Sequence, residues 1–148
     1  MEVILPFIIC CMTRKHSVLI VDDDSDDRHF VHEAFRLSNI DVDLVEFSNA
    51  NNLISALKNL EKERPISLIL LDLNLPGKNG MEALRELKED EDCTHIPTVV
   101  LTTSNSDRDR NESYAMGANC FLSKPNSFDL YVKMLASVAK LYIHPVAS

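Results

Sequence analysis

Short apolar runs alternate along this chain with longer stretches whose apolar residues recur every three or four positions, the signatures of buried strands and amphipathic helices. Val18 to Val21 reads as a strand, and Arg28 to Leu37 sets Phe30, Val31, Ala34, Phe35 and Leu37 along one helical stripe. Asp24 or Ser25 is the natural N-cap there, with Asp26 and Asp27 in a first turn where the macrodipole favours anions. Val42 to Phe47 is a second strand; Leu53, Leu57 and Leu60 mark a helix that Ser48 or Asn49 caps and Arg64-Pro65 ends. Leu68 to Leu71 is too brief for a helix and is followed by the turn signals Pro76-Gly77 and Asn79-Gly80, so it predicts a third strand with Asp72 at its carboxyl end. Met81, Leu84, Leu87 and Lys88 outline a third helix that dissolves into Glu89 to Asp92, a solvated acidic face. Pro97 to Leu101 is the fourth strand, Ser106 and Asp109 open a helix closed by Gly117, and Cys120 to Leu122 is the fifth strand. Asn126 or Ser127 caps a last helix whose stripe is Leu130, Val132, Met134, Leu135, Val138 and Leu141. Such alternation predicts an α/β fold with a parallel sheet and helices on both faces, because right-handed crossovers leave no other economical packing.

Composition narrows the function more than the fold. At 148 residues the chain is one domain with room for a real core, and its 45% hydrophobic and 26% charged residues are ordinary for a globular protein. The 15 Lys+Arg against 23 Asp+Glu give a net charge of −8, which argues against binding nucleic acid or an anionic membrane non-specifically. Cys10, Cys11, Cys93 and Cys120 have no CxxC spacing and no histidine cluster, so they read as reduced thiols in a cytoplasm. Glu2 to Met12 is apolar but far shorter than the roughly 20 residues of a membrane span, is interrupted by Pro6, and lacks a basic n-region. Residues 1–16 are therefore expected to be an appendage, 17–142 the folded domain, and 143–148 a tail with no output domain after Tyr142.

The chemistry lies at the strand ends. Strand one closes in Asp22-Asp23, strand three in Asp72, strand four in Thr102 and strand five in Lys124, all on the edge where open parallel sheets bind ligands. Three carboxylates in one crevice repel by several kcal/mol at an intermediate dielectric, so protons or a cation must neutralise them. With only oxygen ligands to hand, the cation expected is Mg²⁺, or Mn²⁺ as a substitute. A metal on Asp23 and Asp72 beside a hydroxyl and an ammonium suits phosphoryl transfer to Asp72, with Lys124 and Thr102 binding phosphoryl oxygens.

With LIVDDD at 19–24, LLDLNLPGKNG at 70–80, VVLTTS at 99–104 and FLSKP at 121–125, the sequence resembles a response-regulator receiver domain of two-component signalling, from about Ser17 to about Tyr142. The wording around Asp72 and the Thr102-Thr103-Ser104 run resemble the single-domain receivers that partner bacterial phytochrome-type histidine kinases. The resemblance implies a flavodoxin-like doubly wound (βα)5 sandwich with strand order 2-1-3-4-5. It implies that Asp72 accepts the phosphoryl group from a phosphohistidine on a sensor kinase or phosphotransfer protein. Asp23 and Asp72 would bind the metal directly, the backbone carbonyl of Asn74 would add a ligand, and Asp22 would act largely through water. Thr102 would be the switch hydroxyl, Lys124 the ion-pair partner and Phe121 the switch aromatic, here without a hydroxyl. Pro125 would follow a cis peptide bond, and Thr103 would narrow water access and slow dephosphorylation. On this reading the chain is not an enzyme but a phosphoacceptor that takes part in its own phosphorylation and slow autodephosphorylation. Output would pass through the surface of the fourth and fifth helices and the fifth strand, and the last helix is apolar enough to support a homodimer there as well.

Rival readings have weaknesses that can be named. Asp22, Asp24, Asp26 and Glu33 fall on EF-hand positions, but Asp27 replaces the required Gly and a buried strand stands where the entering helix belongs. An FMN carrier of the same architecture would have its phosphate repelled by the aspartates of the first loop. A Mg²⁺-dependent phosphohydrolase needs a second carboxylate two residues after the nucleophile, where Asn74 stands. A pseudo-receiver, a scaffold that takes no phosphoryl group, has no use for an intact Asp22, Asp23, Asp72, Thr102 and Lys124. His29 and His32 read as surface residues beside a docking face.

Overall fold

The computed structural model describes residues 16–143. Five strands, β1 (His16–Val21), β2 (Val42–Phe47), β3 (Ile66–Leu71), β4 (Thr98–Thr102) and β5 (Cys120–Ser123), alternate with five helices: α1 (Ser25–Leu37), α2 (Leu53–Glu63), α3 (Gly80–Glu89), α4 (Asp107–Ala115) and α5 (Phe128–Tyr142). Every pairing is parallel and the order is β2-β1-β3-β4-β5, the doubly wound arrangement expected. The expected apolar appendage lies almost wholly outside the described residues, as do Cys10, Cys11 and residues 144–148; His16 is already the first residue of β1.

Strand alternation sorts the core into two layers. Val18 and Ile20, Leu68 and Leu70, Val99 and Leu101 pack with Val31, Phe35, Leu135 and Val138 from α1 and α5. Leu19 and Val21, Ile69 and Leu71, and Val100 pack on the other face with Leu53, Leu57, Leu84 and Leu87 from α2 and α3. Both faces of the central strands are covered, which is why those segments are continuously apolar rather than alternating.

Four of the five helix starts carry a side-chain cap, expected at Asp24, Ser106 and Ser127 and unanticipated at Asn79, which reads in sequence as part of a turn. Asp24, Asn79, Ser106 and Ser127 each accept a backbone N–H of the first turn. The start of α2 differs: Asn49 accepts the Asn51 N–H in a local turn, Ala50 is buried, and the helix begins only at Leu53 after a left-handed Asn52. The buried side chain of Ala50 holds the chain against the core, so neither Ser48 nor Asn49 caps the helix. Two stripes also shift. Leu37 is 55% exposed because it lies two residues, about 200° of helix rotation, beyond Phe35. Leu130 and Leu141 are exposed, since the buried face of α5 runs through Tyr131, Leu135, Val138 and Ala139, roughly 100° round the helix. No helix among the described residues is long and apolar enough to cross a membrane.

Candidate functional site

Asp22, Asp72 and Lys124 each follow the last residue of a strand, and one further backbone bond keeps each in line. The Asp22 N–H donates to the Phe47 carbonyl at 2.9 Å, that of Asp72 to Val21 at 2.9 Å, and that of Lys124 to Thr102 at 2.7 Å. Because Ile20 pairs with Leu70 and Val21 with Leu71, the next residues in register are the two aspartates. Their even positions share the α1 and α5 side with Ile20 and Leu70, and Lys124 shares it with Leu122. Thr102 has the parity of Val100 and so belongs, with Phe121, to the other side.

Gly80 is what allows the Asp72 loop to lie against α3. A Cβ there would collide with the Asp72 carbonyl oxygen and the Leu73 Cα, both backbone, and the Gly80 N–H donates to the Leu73 carbonyl at 2.9 Å.

The side chains then converge. Asp22, Asp23 and Asp72 each offer a carboxylate oxygen within 4.8 Å of the others, with Asp22 and Asp72 buried and Asp23 exposed. Lys124 Nζ donates to Asp22 Oδ2 at 2.7 Å, to Asp72 Oδ2 at 3.0 Å and to Asp27 Oδ2 at 2.7 Å. Burial pushes the Asp22 carboxyl up to about 6 in spite of its bonds to Lys124 and the Asp24 N–H. Burial pulls the other way on Lys124, but its bonds to Asp22 and Asp27 prevail and hold its ammonium well above the ordinary lysine range. Four carboxylates around one ammonium leave the crevice strongly negative. An all-oxygen trio of this kind fits a small, hard divalent cation.

The remaining site residues frame Asp72. The Asn74 N–H donates to Asp72 Oδ1 at 3.1 Å, and Asn74 Nδ2 reaches the Thr102 and Thr103 hydroxyls at 3.4 and 3.3 Å. Thr102, fully buried, also accepts the Ser104 N–H at 3.3 Å. Ser104 is tied in turn to Asp109 of α4 at 2.6 Å and, through its carbonyl, to the Ser123 hydroxyl at 3.1 Å. Phe121 is turned inward at 5% exposure; the Arg110 guanidinium sits 5.6 Å from its ring centroid, and its backbone N–H donates to the Tyr114 hydroxyl. Lys124 and Pro125 are joined by a trans peptide bond, since no cis bond occurs among the described residues; trans is intrinsically favoured before proline by about 0.5–1 kcal/mol.

Two participants escape a reading of the sequence. Asp27 looks there like one more first-turn acid, although the acidic run is longer than a cap requires. Arg28, whose Nη1 donates to the Asp22 carbonyl at 2.7 Å while Nε pairs with Glu46 at 3.3 Å, carries no local signal at all. The EF-hand pattern dissolves, because Asp24 serves as the α1 cap and is not among the three converging acids. His32 lies on the surface beside Glu46 at 3.5 Å.

A doubly wound sheet with acids at the ends of β1 and β3 answered by a lysine after β5 is the arrangement of a receiver domain in two-component signalling. The family model described as the response regulator receiver domain matches residues 18–136, and the chain belongs to that family. Among its relatives is the response regulator Rcp1 of Synechocystis sp. (strain ATCC 27184 / PCC 6803 / Kazusa), 35% identical over 87% of this chain and 90% of that protein. The solved Mn²⁺-bound form of Rcp1 is similar with a TM-score of 0.79 at 34% identity, covering 89% of this chain and 97% of that one. The phosphorylated cyanobacterial phytochrome response regulator RcpA is similar with a TM-score of 0.82 at 27% identity, over 90% and 98% of the two chains.

Proposed function

We propose that this protein is a response regulator whose Asp72 accepts a phosphoryl group from a phosphohistidine on a sensor kinase or histidine phosphotransfer protein. The observation that carries the reading is the convergence of Asp22, Asp23 and Lys124 on the Asp72 carboxylate at the carboxyl edge of the sheet. Asp23 and Asp72 would hold Mg²⁺, or Mn²⁺ in its place, with the backbone carbonyl of Asn74 as a further ligand and Asp22 acting largely through water. When bound, the cation supplies charge neutralisation between the carboxylate and the incoming phosphoryl oxygens. An Asp72 oxygen forms the new bond to phosphorus as the donor P–N bond breaks, and that electron pair leaves with the imidazole. Lys124 passes from the Asp72 carboxylate to a phosphoryl oxygen, and Thr102 exchanges the Ser104 N–H for another. The Thr102 shift reaches the Phe121 side of the sheet and so the surface of α4, β5 and α5. Thr103, exposed beside Asn74, narrows the approach of water and slows hydrolysis.

The phytochrome assignment of RcpA supports a phytochrome-type histidine kinase as the partner. Leu130 and Leu141, 56% and 66% exposed on α5, support a homodimer through α4, β5 and α5. Residues 16–143 form the receiver, with His16 opening β1 and Ile143 buried after α5, in a cytoplasmic protein. Incubation with acetyl phosphate and Mg²⁺ tests the reading: one acid-stable, base-labile phosphoryl group is expected on the protein and none on Asp72→Asn. A pseudo-receiver takes up no label, and a phosphohydrolase turns the donor over without accumulating it.

A further inference from the structure

Asp27 has no part in the roles assigned so far, yet its contact with the lysine is as short as any. Its Oδ2 lies 2.7 Å from Lys124 Nζ, matching the Asp22 contact and shorter than the 3.0 Å to Asp72. A lysine ammonium has three N–H donors, and all three of Lys124 are spent on carboxylates. Two of those carboxylates, Asp22 and Asp72, belong to the trio that would face a cation. Asp27 alone lies outside it. The pair also spans two elements, since Asp27 stands in the first turn of α1 and Lys124 in the junction between β5 and α5. It is poorly wetted, with the lysine side chain 6% and the aspartate 20% exposed. Phe30 of α1 binds the same two elements together, its ring centroid 5.4 Å from Phe128 and 5.9 Å from Tyr131. Among the described residues the buried Tyr131 hydroxyl has no hydrogen-bond partner.

We propose that Asp27 is a positioning residue: it anchors the Lys124 ammonium beside Asp72 from outside the cation-binding trio, so that the lysine need not compete with the metal for Asp22 and Asp72. The inference rests on the phosphoacceptor reading above. In Asp27→Ala the lysine would lean on Asp22 and Asp72 alone, the oxygens the cation needs. Titration calorimetry of the full chain with Mg²⁺ should then show affinity roughly fivefold weaker or more. Asp26→Ala removes the same charge from the same turn, where Asp26 is exposed, and should leave the affinity unchanged. Asp27→Glu should recover most of the loss.

Should the alanine protein not fold, Asp27→Asn keeps the volume and one acceptor oxygen and should show a smaller loss of the same sign. Wild-type Mg²⁺ affinity in Asp27→Ala, or in Asp27→Asn where the alanine protein does not fold, overturns the proposal, as does an equal loss in Asp26→Ala. Labelling by acetyl phosphate is read separately on the wild-type chain. Failure there removes the phosphoacceptor reading, whereas failure of the Mg²⁺ comparison with labelling intact removes only the role of Asp27.

Discussion

Replacing Lys124 by methionine tests the electrostatic account directly, because it keeps most of the unbranched stem and deletes the ammonium with its charge. The ammonium lies 2.7, 2.7 and 3.0 Å from Asp22, Asp27 and Asp72 and its side chain is 6% exposed. At an effective dielectric near 20, each contact carries about 6 kcal/mol of gross attraction, most of it offset by the cost of desolvating the ions. What decides the outcome is the uncompensated charge left behind, for which a net loss of about 3–5 kcal/mol is expected. For a domain of this size that lowers Tm by about 12–20 °C. The loss also depends on pH. Burial already raises the folded-state pKa of Asp22 from 3.8 to about 6, and losing the lysine raises it further. A raised carboxyl pKa means that the folded chain binds more protons than the unfolded one between those values, so this group adds stability as pH falls through the window. The gap between Lys124→Met and wild type should therefore narrow from pH 7 to pH 5, and also on adding Mg²⁺ at pH 7. Thermal unfolding by circular dichroism, with chelator and with Mg²⁺, measures all three comparisons. A loss below about 1 kcal/mol at pH 7 in chelator, or one that is the same at pH 5, would mean that the ammonium does not hold the buried carboxylates together.

Three further outcomes follow from the same geometry. In chelator at pH 7, Asp22→Asn should stabilise the protein by about 1–3 kcal/mol, because the charged form is the one burial penalises; the gain should vanish near pH 4 and turn into a loss when Mg²⁺ is present, as denaturant midpoints would show. Gly80→Ala places a methyl group against the backbone of Asp72 and Leu73, so a loss of about 3 kcal/mol should come with weakened Mg²⁺ binding by calorimetry. Tyr114→Phe removes the acceptor of the Phe121 N–H on the edge strand; about 1 kcal/mol is lost, and hydrogen exchange should speed up at Phe121 while metal affinity stays unchanged.

Most of the fold was legible because its determinants are local. Val18 to Val21 and Leu68 to Leu71 are covered on both faces, so continuous apolarity and short length identify them without knowledge of neighbours. Ser106 and Ser127 are caps whose own side chains satisfy N–H groups three residues on, which is why a few residues of sequence suffice. The misreadings occur where a distant contact decides. Ala50 delays α2 by packing into the core, and nothing in Ser48-Asn49 anticipates that. On α5, Leu130 and Tyr131 are both candidates for the core by composition. Tyr131 enters because α1 presents Phe30 to it, whereas Leu130 faces outward.

The site divides along the same line. Asp22, Asp72 and Lys124 could be assembled from sequence because each directly follows a parallel strand, and parallel strands put all such residues on one edge. What no strand-end rule supplies is which side of the sheet each side chain takes. Parity settles it: positions 22, 72 and 124 continue the face of Ile20, Leu70 and Leu122, toward α1 and α5, while Thr102 continues the face of Val100 beside Phe121. The charge cluster and the hydroxyl–aromatic pair therefore occupy opposite faces of one sheet and meet only at its edge, around Asp72 and Asn74. Asp27 joins the cluster because α1 packs on the same face, a fact of tertiary structure that its position in an acidic run conceals. Asp72 is thus linked directly to a lysine tied to α1 and, through Asn74, to a hydroxyl whose loop is tied to α4 through Ser104 and Asp109, so that on the proposed reading a change of charge there has two mechanical outlets.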